Sequence, residues 1–361
     1  MALGCSDPSR GQAGCLPMPL NLRMVRRPSR PTLGAALLCG AVAAAIAAAP
    51  TAGAIRATAA RPAVPQFRVA VMGMSGWRLG PKLRRIGVTW DRINVGDDSD
   101  ISDVRYALRQ GVKAVVLYDP GFGGRSPAQC AAQVKALARK ILPLGLSEIE
   151  FGNEAYYQEQ PAAYAAQYAA AHAALGGMGV TLIANSAGDY QRPDGSWSQD
   201  ARGGGWIHDF IHALPARGAE IDAFSIHPYG PMNQLTDGED SGWLELPRYH
   251  NLAVANHVNV PWYVTEVGHC LGGPGCITPL GPVNQQTQAA DITKYLNDTI
   301  SKYSYVAFLD IFAIKDNATG RFGLLLSPNN APRASYRALA HWMIAHGLAR
   351  TPPRISESIL S

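Results

Sequence analysis

Two short stretches of the chain each run through apolar residues into a glutamate: Ile149-Glu150-Phe151-Gly152-Asn153-Glu154 and Trp262-Tyr263-Val264-Thr265-Glu266-Val267-Gly268. Two carboxyl groups facing one another are what hydrolysis of a glycosidic bond requires. One must be protonated to donate to the leaving oxygen. The other must be ionised, to attack the anomeric carbon or to activate water. Like charges sharing a cleft push one pKa upward, which provides the unequal pair of states. A separation of ~5–5.5 Å would mark a retaining pair and ~6.5–9.5 Å an inverting one. Whether Glu154 and Glu266 meet depends on the elements that carry them.

From Gln66 onward, apolar runs alternate with helical patterns. The runs cover 67–74, 87–95, 114–118, 148–151, 181–184, 223–226, 262–265 and 305–314. Several are continuously apolar, as parallel strands buried on both faces are. Helical patterns lie between them at 126–142, with Pro127 just inside its start, and at 161–175, with a Gly176-Gly177 stop. Others cover 205–214, 246–257, 285–301 and 334–347, with shorter ones before Ile86 and over 103–110. Eight such units predict an α/β fold, a single (β/α)8 TIM barrel over residues 66–348. Residues 349–361 read as a loose tail. An open doubly wound sheet is the runner-up. It would require a glycine-rich phosphate loop after the first strand, and Gly73-Met74-Ser75-Gly76 is a poor version of one.

A barrel places catalytic groups at the C-terminal ends of its strands. Polar residues do fall there: Arg92 and Asn94, Asp119, Asn153-Glu154, Asn185, His227-Pro228-Tyr229, Glu266 and Lys315-Asp316. Each alone has a plain structural reading as a cap or a rim ion pair. Strands four and seven lie on roughly opposite sides of a barrel mouth, so Glu154 and Glu266 are expected to project into one cleft.

At these residues the chain resembles the clan A glycoside hydrolases, TIM-barrel retaining β-glycosidases with cellulase-like, mannanase-like and β-xylosidase-like members. The resemblance covers about residues 66–346 and rests on short motifs. Gly152-Asn153-Glu154 is similar to the strand-four signature, which implies that Glu154 is the acid/base. Thr265-Glu266 is similar to the strand-seven motif, which implies that Glu266 is the nucleophile. Asp91-Arg92-Ile93-Asn94-Val95 resembles the strand-two segment whose arginine braces the nucleophile. His227-Pro228-Tyr229 matches a His-x-Tyr pattern whose tyrosine hydrogen-bonds it. Phe312 stands where the clan usually has a tryptophan floor for the sugar, and Tyr118-Asp119-Pro120 stands where cellulase-like members often have a histidine. The roles that follow place Asn153 on the sugar 2-hydroxyl, and Arg92 and Tyr229 on Glu266. His227 is left to bond either Glu154 or the sugar.

Sugars present apolar faces, so aromatic platforms are expected near the mouth. Tyr156 and Tyr157 follow Glu154 directly. Trp77, Tyr118, Tyr190, Trp206 and Trp243 lie on or near expected strand-to-helix loops, and for any single one an ordinary, partly buried aromatic is the favoured reading. Trp262 and Trp342 read as core.

The front of the chain reads as an address. Residues 23–30 are arginine-rich, Leu33 to Ala49 is apolar, and Ala52-Gly53-Ala54 fits a small-residue cleavage site. Residues 1–54 are therefore expected to be an N-terminal extension and signal peptide cut near Ala54, giving a secreted protein. A membrane anchor is the rival reading, but its side chains are mostly alanine. Up to Ala54, five arginines stand against one aspartate, and the remainder carries 27 basic and 26 acidic side chains. A nearly neutral mature chain gives no reason to expect a nucleic-acid partner. With 47% apolar and 16% charged residues, disorder is excluded. Cys270 and Cys276 bracket Leu-Gly-Gly-Pro-Gly, and a disulfide between them suits an exported protein. The loops 230–245 and 270–276 are expected to shape the subsites.

The expected partner is a β-linked poly- or oligosaccharide, with the sugar and the endo or exo mode left open. No cofactor, no metal and no stable membrane association are expected, and the chain is expected to be a monomer. Two other readings stay open. One is a metal-dependent barrel hydrolase drawing on His208, His212, His227 and His269. The other is a catalytically inactive barrel that binds glycans.

Overall fold

The structure, a computed structural model, describes residues 67–349 apart from 74–78, 97–100, 123, 186–189, 192–196, 199–204, 230–242, 273–283, 317–319 and 327–328. The expected leader, Trp77, Cys276 and most of the loop 230–245 thus lie outside the described residues, as do those from 350 onward.

Eight strands form the frame: β1 Arg68–Val71, β2 Trp90–Asn94, β3 Lys113–Tyr118, β4 Glu148–Phe151, β5 Thr181–Asn185, β6 Ala223–Ile226, β7 Trp262–Val267 and β8 Val306–Ile311. All eight pair in parallel, each with the next, and β8 closes on β1 through Ala70 opposite Asp310. A helix follows each strand: α1 Gly80–Arg84, α2 Ser102–Arg109, α3 Pro127–Ile141, α4 Pro161–Leu175, α5 Trp206–Ala213, α6 Glu245–Ala255, α7 Gln285–Ser301 and α8 Ala334–Ala345. The architecture is the expected (β/α)8 barrel. A two-residue antiparallel ribbon, Tyr190–Gln191 with Trp197–Ser198, lies between β5 and α5.

Local chemistry explains the helix starts. Ser126 accepts from the Gln129 backbone N–H while the Gln129 side chain accepts from the Ser126 N–H, a capping box that starts α3 with Pro127 behind it. Asn284 caps α7 through the Thr287 N–H. The expected strand 305–314 is observed as Val306–Ile311; beyond it, single backbone bonds from Phe312 N–H to the Val267 carbonyl and from Ile314 N–H to the Met72 carbonyl keep the chain against its neighbours.

Strand alternation sorts the side chains into two layers. Residues such as Val116, Ile149, Phe151, Leu182 and Val264 face outward and form the core between sheet and helices. Ala70, Val115, Ile183, Ala223, Tyr263 and Phe308 face inward and fill the barrel. At the N-terminal end the floor is closed by Arg68, whose guanidinium lies 4.5 Å over Trp90 and bonds Glu148 at 2.6 Å.

Strand parity for Tyr118, and packing for three others, correct the aromatic expectations. Val115 points into the barrel, so Tyr118, three residues on, points out; it is fully buried against Phe151 and donates to Gln133 Oε1 at 2.6 Å. Trp206 is equally buried, 4.9 Å from Tyr164 and 5.3 Å from Phe210, with its indole N–H on the Glu159 carbonyl. Tyr156 joins the same outer core. Trp243 packs on Tyr295 and donates to Asp298. All four are core side chains, because the helix layer needed apolar bulk there. The Tyr157 and Tyr190 side chains lie outside the description.

Candidate active site

The carboxylates at the barrel mouth are carried by two backbone irregularities. Beyond β4 the chain turns sharply through Gly152 (φ 87°) and Glu154 (φ 47°). A Cβ on Gly152 would sit 2.4 Å from Phe122 Cζ, so only glycine fits. Glu154, a left-handed non-glycine residue, precedes the single-turn helix Ala155–Gln158. Such a conformation costs roughly 1–2 kcal/mol and is held by its surroundings. Asn185 supplies part of that hold by accepting from the Ala155 N–H at 3.2 Å. On β7 the ladder to β8 slips: Leu309 pairs with Val264 but Ile311 pairs with Val267. One extra residue on β7 makes a bulge, and it turns both Thr265 and Glu266 inward.

Arg92, buried on β2, ties the site together. Its Nε bonds Glu150 Oε2, its Nη1 bonds Glu266 Oε1 at 2.5 Å, and its Nη2 bonds Asn153 Oδ1 at 2.8 Å. Burial works against its charge, yet Glu150 and Glu266 raise its pKa further. Tyr229 donates to Glu266 Oε2 at 2.7 Å. Burial, reinforced by the Glu266 charge, pushes its phenol well above the usual range, so it stays a donor. Both Glu266 oxygens are thus held from the protein side.

His227 links the two sides of the mouth. Its Nδ1 lies 3.2 Å from Glu154 Oε1, and its Nε2 lies 3.9 Å from Glu266 Oε1. The two glutamates therefore flank one imidazole. Of the alternatives left for His227, the protein contact is the one with Glu154. The Glu154 side chain is 32% exposed and that of Glu266 11%. Burial would raise the Glu154 pKa, but the bond to His227 and the charges of His227 and Arg92 bring it below the usual value. Phe312, half-buried at the end of β8, meets Tyr229 edge-on at 5.8 Å and Phe322 at 5.3 Å. Gly268 permits this approach, because a Cβ there would sit 2.3 Å from the Phe312 carbonyl oxygen.

Glu150, not among the expected site residues, is the hub of the hydrogen-bond network beneath them. It is fully buried on β4 and accepts from Arg92, from Asn185 Nδ2 at 2.9 Å, and from Ser225 and Thr265 hydroxyls at 2.7 Å each. Burial opposes its charge, but Arg92 and His227 lower its pKa. The signal was present: a charge between Ile149 and Phe151 in a strand buried on both faces must point into the barrel and be paired there. Other strand-end polar groups have the plainer role. Asn94 and Asp119 accept from backbone N–H groups two residues on, and Asp316 forms an ion pair with Arg333.

Asp310 lies lower in the barrel, fully buried, with neither carboxyl oxygen hydrogen-bonded. Burial, with Asp91 adding repulsion, raises its pKa well above the ordinary value. The native state then keeps a proton that the unfolded chain releases above ~3.9. Stability must fall as pH rises from there toward the folded value, by up to about 1.4 kcal/mol per pH unit. Asp310→Asn is expected to remove that component and to be the more stable protein at neutral pH. Denaturant unfolding of both from pH 4 to 8 measures it, and parallel curves would contradict a protonated Asp310.

No group of three or more histidine, cysteine or acidic side chains that could hold a metal occurs among the described residues. His208 bonds Asp209, His212 bonds Asn256, and His269 bonds Asp291. No helix among the described residues is long and apolar enough to cross a membrane. Cys130 is free and buried, while Cys270 is buried at the edge of the undescribed 273–283 segment.

Solved structures with this arrangement of strands exist. A family 39 glycoside hydrolase from the gut symbiont Bacteroides cellulosilyticus WH2 matches with a TM-score of 0.53 at 17% identity, over 77% of this chain and 64% of that one. The catalytic domain of a mannanase from Streptomyces sp. SirexAA-E matches at 0.50 and 16% identity, over 81% and 88%. This chain has the TIM-barrel fold of these glycoside hydrolases. A β-glucosidase from Exiguobacterium marinum is similar too, at 0.50 and 12% identity, over 75% and 86%. The chain spans less than two thirds of the family 39 structure's length. No family model and no curated protein matches the sequence.

Proposed function

We propose that the chain is a secreted retaining glycoside hydrolase acting on β-linked poly- or oligosaccharides. The observation that carries this is the pair of glutamates on one imidazole, with Glu266 gripped by Arg92 and Tyr229. Arg92 and Tyr229 hold both Glu266 oxygens, the fixed orientation an attacking carboxylate needs. Glu266 attacks the anomeric carbon and forms a glycosyl-enzyme. Glu154 protonates the departing oxygen, then takes a proton from the attacking water. Arg92 occupies the Asn153 amide oxygen, so the Asn153 NH2 is the group left for the sugar 2-hydroxyl. Phe312 offers the ring for the sugar's apolar face. The name of one neighbour, a β-glucosidase, is in keeping with a β-linked substrate. Export after cleavage near Ala54 and a Cys270–Cys276 bridge belong to the same reading.

Residues 55–361, screened against plant, fungal and bacterial polysaccharides with product sizing, should yield the substrate and the mode of attack. Glu154→Ala is the sharper test. It should lose about 10²–10⁴-fold on substrates with poor leaving groups, the usual worth of general acid catalysis. It should lose far less on activated aryl glycosides, and azide should restore turnover with formation of a β-glycosyl azide. Equal losses on both substrate types, without rescue, would remove Glu154 from the acid/base role.

A further inference from the structure

Resting on that two-glutamate reading, we propose that His227 stores the acid's proton. Its Nδ1 holds the proton that Glu154 delivers to the leaving oxygen, and a fixed chain from Glu150 through Thr265 makes Nδ1 the nitrogen that does so.

The chain is read from donors and acceptors. Thr265 has one hydroxyl hydrogen and two neighbours that could take it, Glu150 Oε1 at 2.7 Å and His227 Nε2 at 3.1 Å. Glu150 already accepts from Arg92, Asn185 and Ser225, which marks it as an ionised carboxylate. The hydrogen goes to the closer, charged oxygen; otherwise two lone pairs would face each other across 2.7 Å. Thr265 Oγ1 then offers the imidazole only lone pairs, so Nε2 carries a hydrogen in every state. Nδ1 is left as the nitrogen that gains and loses one, 3.2 Å from Glu154 Oε1.

The groups facing the ring decide where that hydrogen rests. Glu154 meets Nδ1 from beyond β4, Glu150 lies 4.0 Å from Nε2 on β4, and Glu266 lies 3.9 Å away on β7. Arg92 supplies the cation, and Thr265 and Tyr229 are neutral. Three carboxyl groups against this guanidinium favour an imidazolium. Burial lowers the His227 pKa, but Glu266 and Glu154 more than offset it. In the open site the pair is therefore imidazolium and carboxylate, and its single proton belongs to the pair.

Substrate changes the balance. An aglycone covering the part-exposed Glu154 removes water from its carboxylate, which penalises the ion pair relative to the neutral pair. The Nδ1–H bond breaks and the Oε1–H bond forms, leaving neutral imidazole and carboxylic acid. That O–H breaks in turn as its proton passes to the glycosidic oxygen, the C–O bond cleaves, and Glu266 bonds the anomeric carbon. In the second half, Glu154 takes a proton from water as the water oxygen displaces Glu266. When product leaves, the proton returns to Nδ1. Protons balance over one turnover, with no further reagent.

The ring can be read without substrate. In ¹⁵N NMR of the histidine-labelled chain, assigned against His227→Gln, His227 Nε2 should be protonated at every pH and Nδ1 alone should titrate, above the ordinary histidine value of ~6.5. A neutral His227 with its hydrogen on Nδ1 would overturn the proposal. Thr265→Val, which frees Nε2, should let the neutral ring populate both tautomers; an unchanged ring would also overturn it. In the pH profile of kcat/KM for a substrate with a poor leaving group, His227→Gln should move the basic limb acidward by about one pH unit or more, since a carboxyl alone then holds the proton. A basic limb that stays in place overturns the store. Should no glycoside be cleaved by the unaltered chain, the hydrolase reading falls by itself, while the NMR measurement still decides the ring.

Discussion

Glu266→Ala is expected to abolish turnover, by on the order of 10⁴-fold or more, because in the proposed mechanism its carboxylate is the group that attacks the anomeric carbon. Folding should be spared. Arg92 keeps Glu150 and Asn153 as partners, and the vacated space lies at the mouth, where water can enter. The variant separates nucleophile from acid by stereochemistry. With a glycosyl fluoride and azide, the Glu266→Ala protein should form the inverted azide, whereas the Glu154→Ala protein forms the retained one. Rates near those of the unaltered chain would remove Glu266 as nucleophile, and a thermal unfolding curve shows whether the protein measured was folded.

Arg92→Met should be the most destabilising single change at the site. The side chain is buried, and its guanidinium is the direct counter-charge of both Glu150 and Glu266. Breaking a buried pair by removing one partner costs about 3–5 kcal/mol, because the remaining charge stays buried and uncompensated. For a barrel of this size that is a fall of about 10 °C in Tm. Turnover should vanish as well, since Glu266 loses both its counter-charge and its orientation. The double variant Arg92→Met/Glu150→Gln should recover part of the stability without the activity, because it removes the more deeply buried of the two orphaned charges and leaves Glu266 unbraced. Arg92→Lys should not restore turnover; an ammonium is a point charge and lacks the planar fork that spans three acceptors. A stability loss under about 1 kcal/mol in Arg92→Met would show that the carboxylates do not depend on this guanidinium.

The two variants bracket the site's design. Four of the inward-facing polar groups converge on one fully buried carboxylate, Glu150. Glu150 gives Arg92 a fixed position and Thr265 a fixed hydrogen; through them it orients Glu266 and His227. Buried polar networks of this kind work only when every member is satisfied, which is why each partner comes from a different strand.

The barrel was legible from the sequence, since eight buried parallel strands leave eight apolar runs and the helices between them leave their caps and stops. Arg92, Asn153, Glu154, His227, Tyr229 and Glu266 were legible too, because in such a barrel a polar residue at a strand's C-terminal end has the mouth to enter. Composition and local period determine these things residue by residue. What only the tertiary structure decided is which way the side chains point. Tyr118, Trp206 and Trp243 have the composition of sugar platforms but sit in the helix layer, because strand parity and helix packing, not residue type, set their side. Glu266 faces the cleft only because a bulge on β7 turns two successive residues inward, and Glu154 only because a left-handed turn follows Gly152. The bulge is a register slip between β7 and β8 and the turn is held by Phe122 and Asn185, so no period within either strand encodes them.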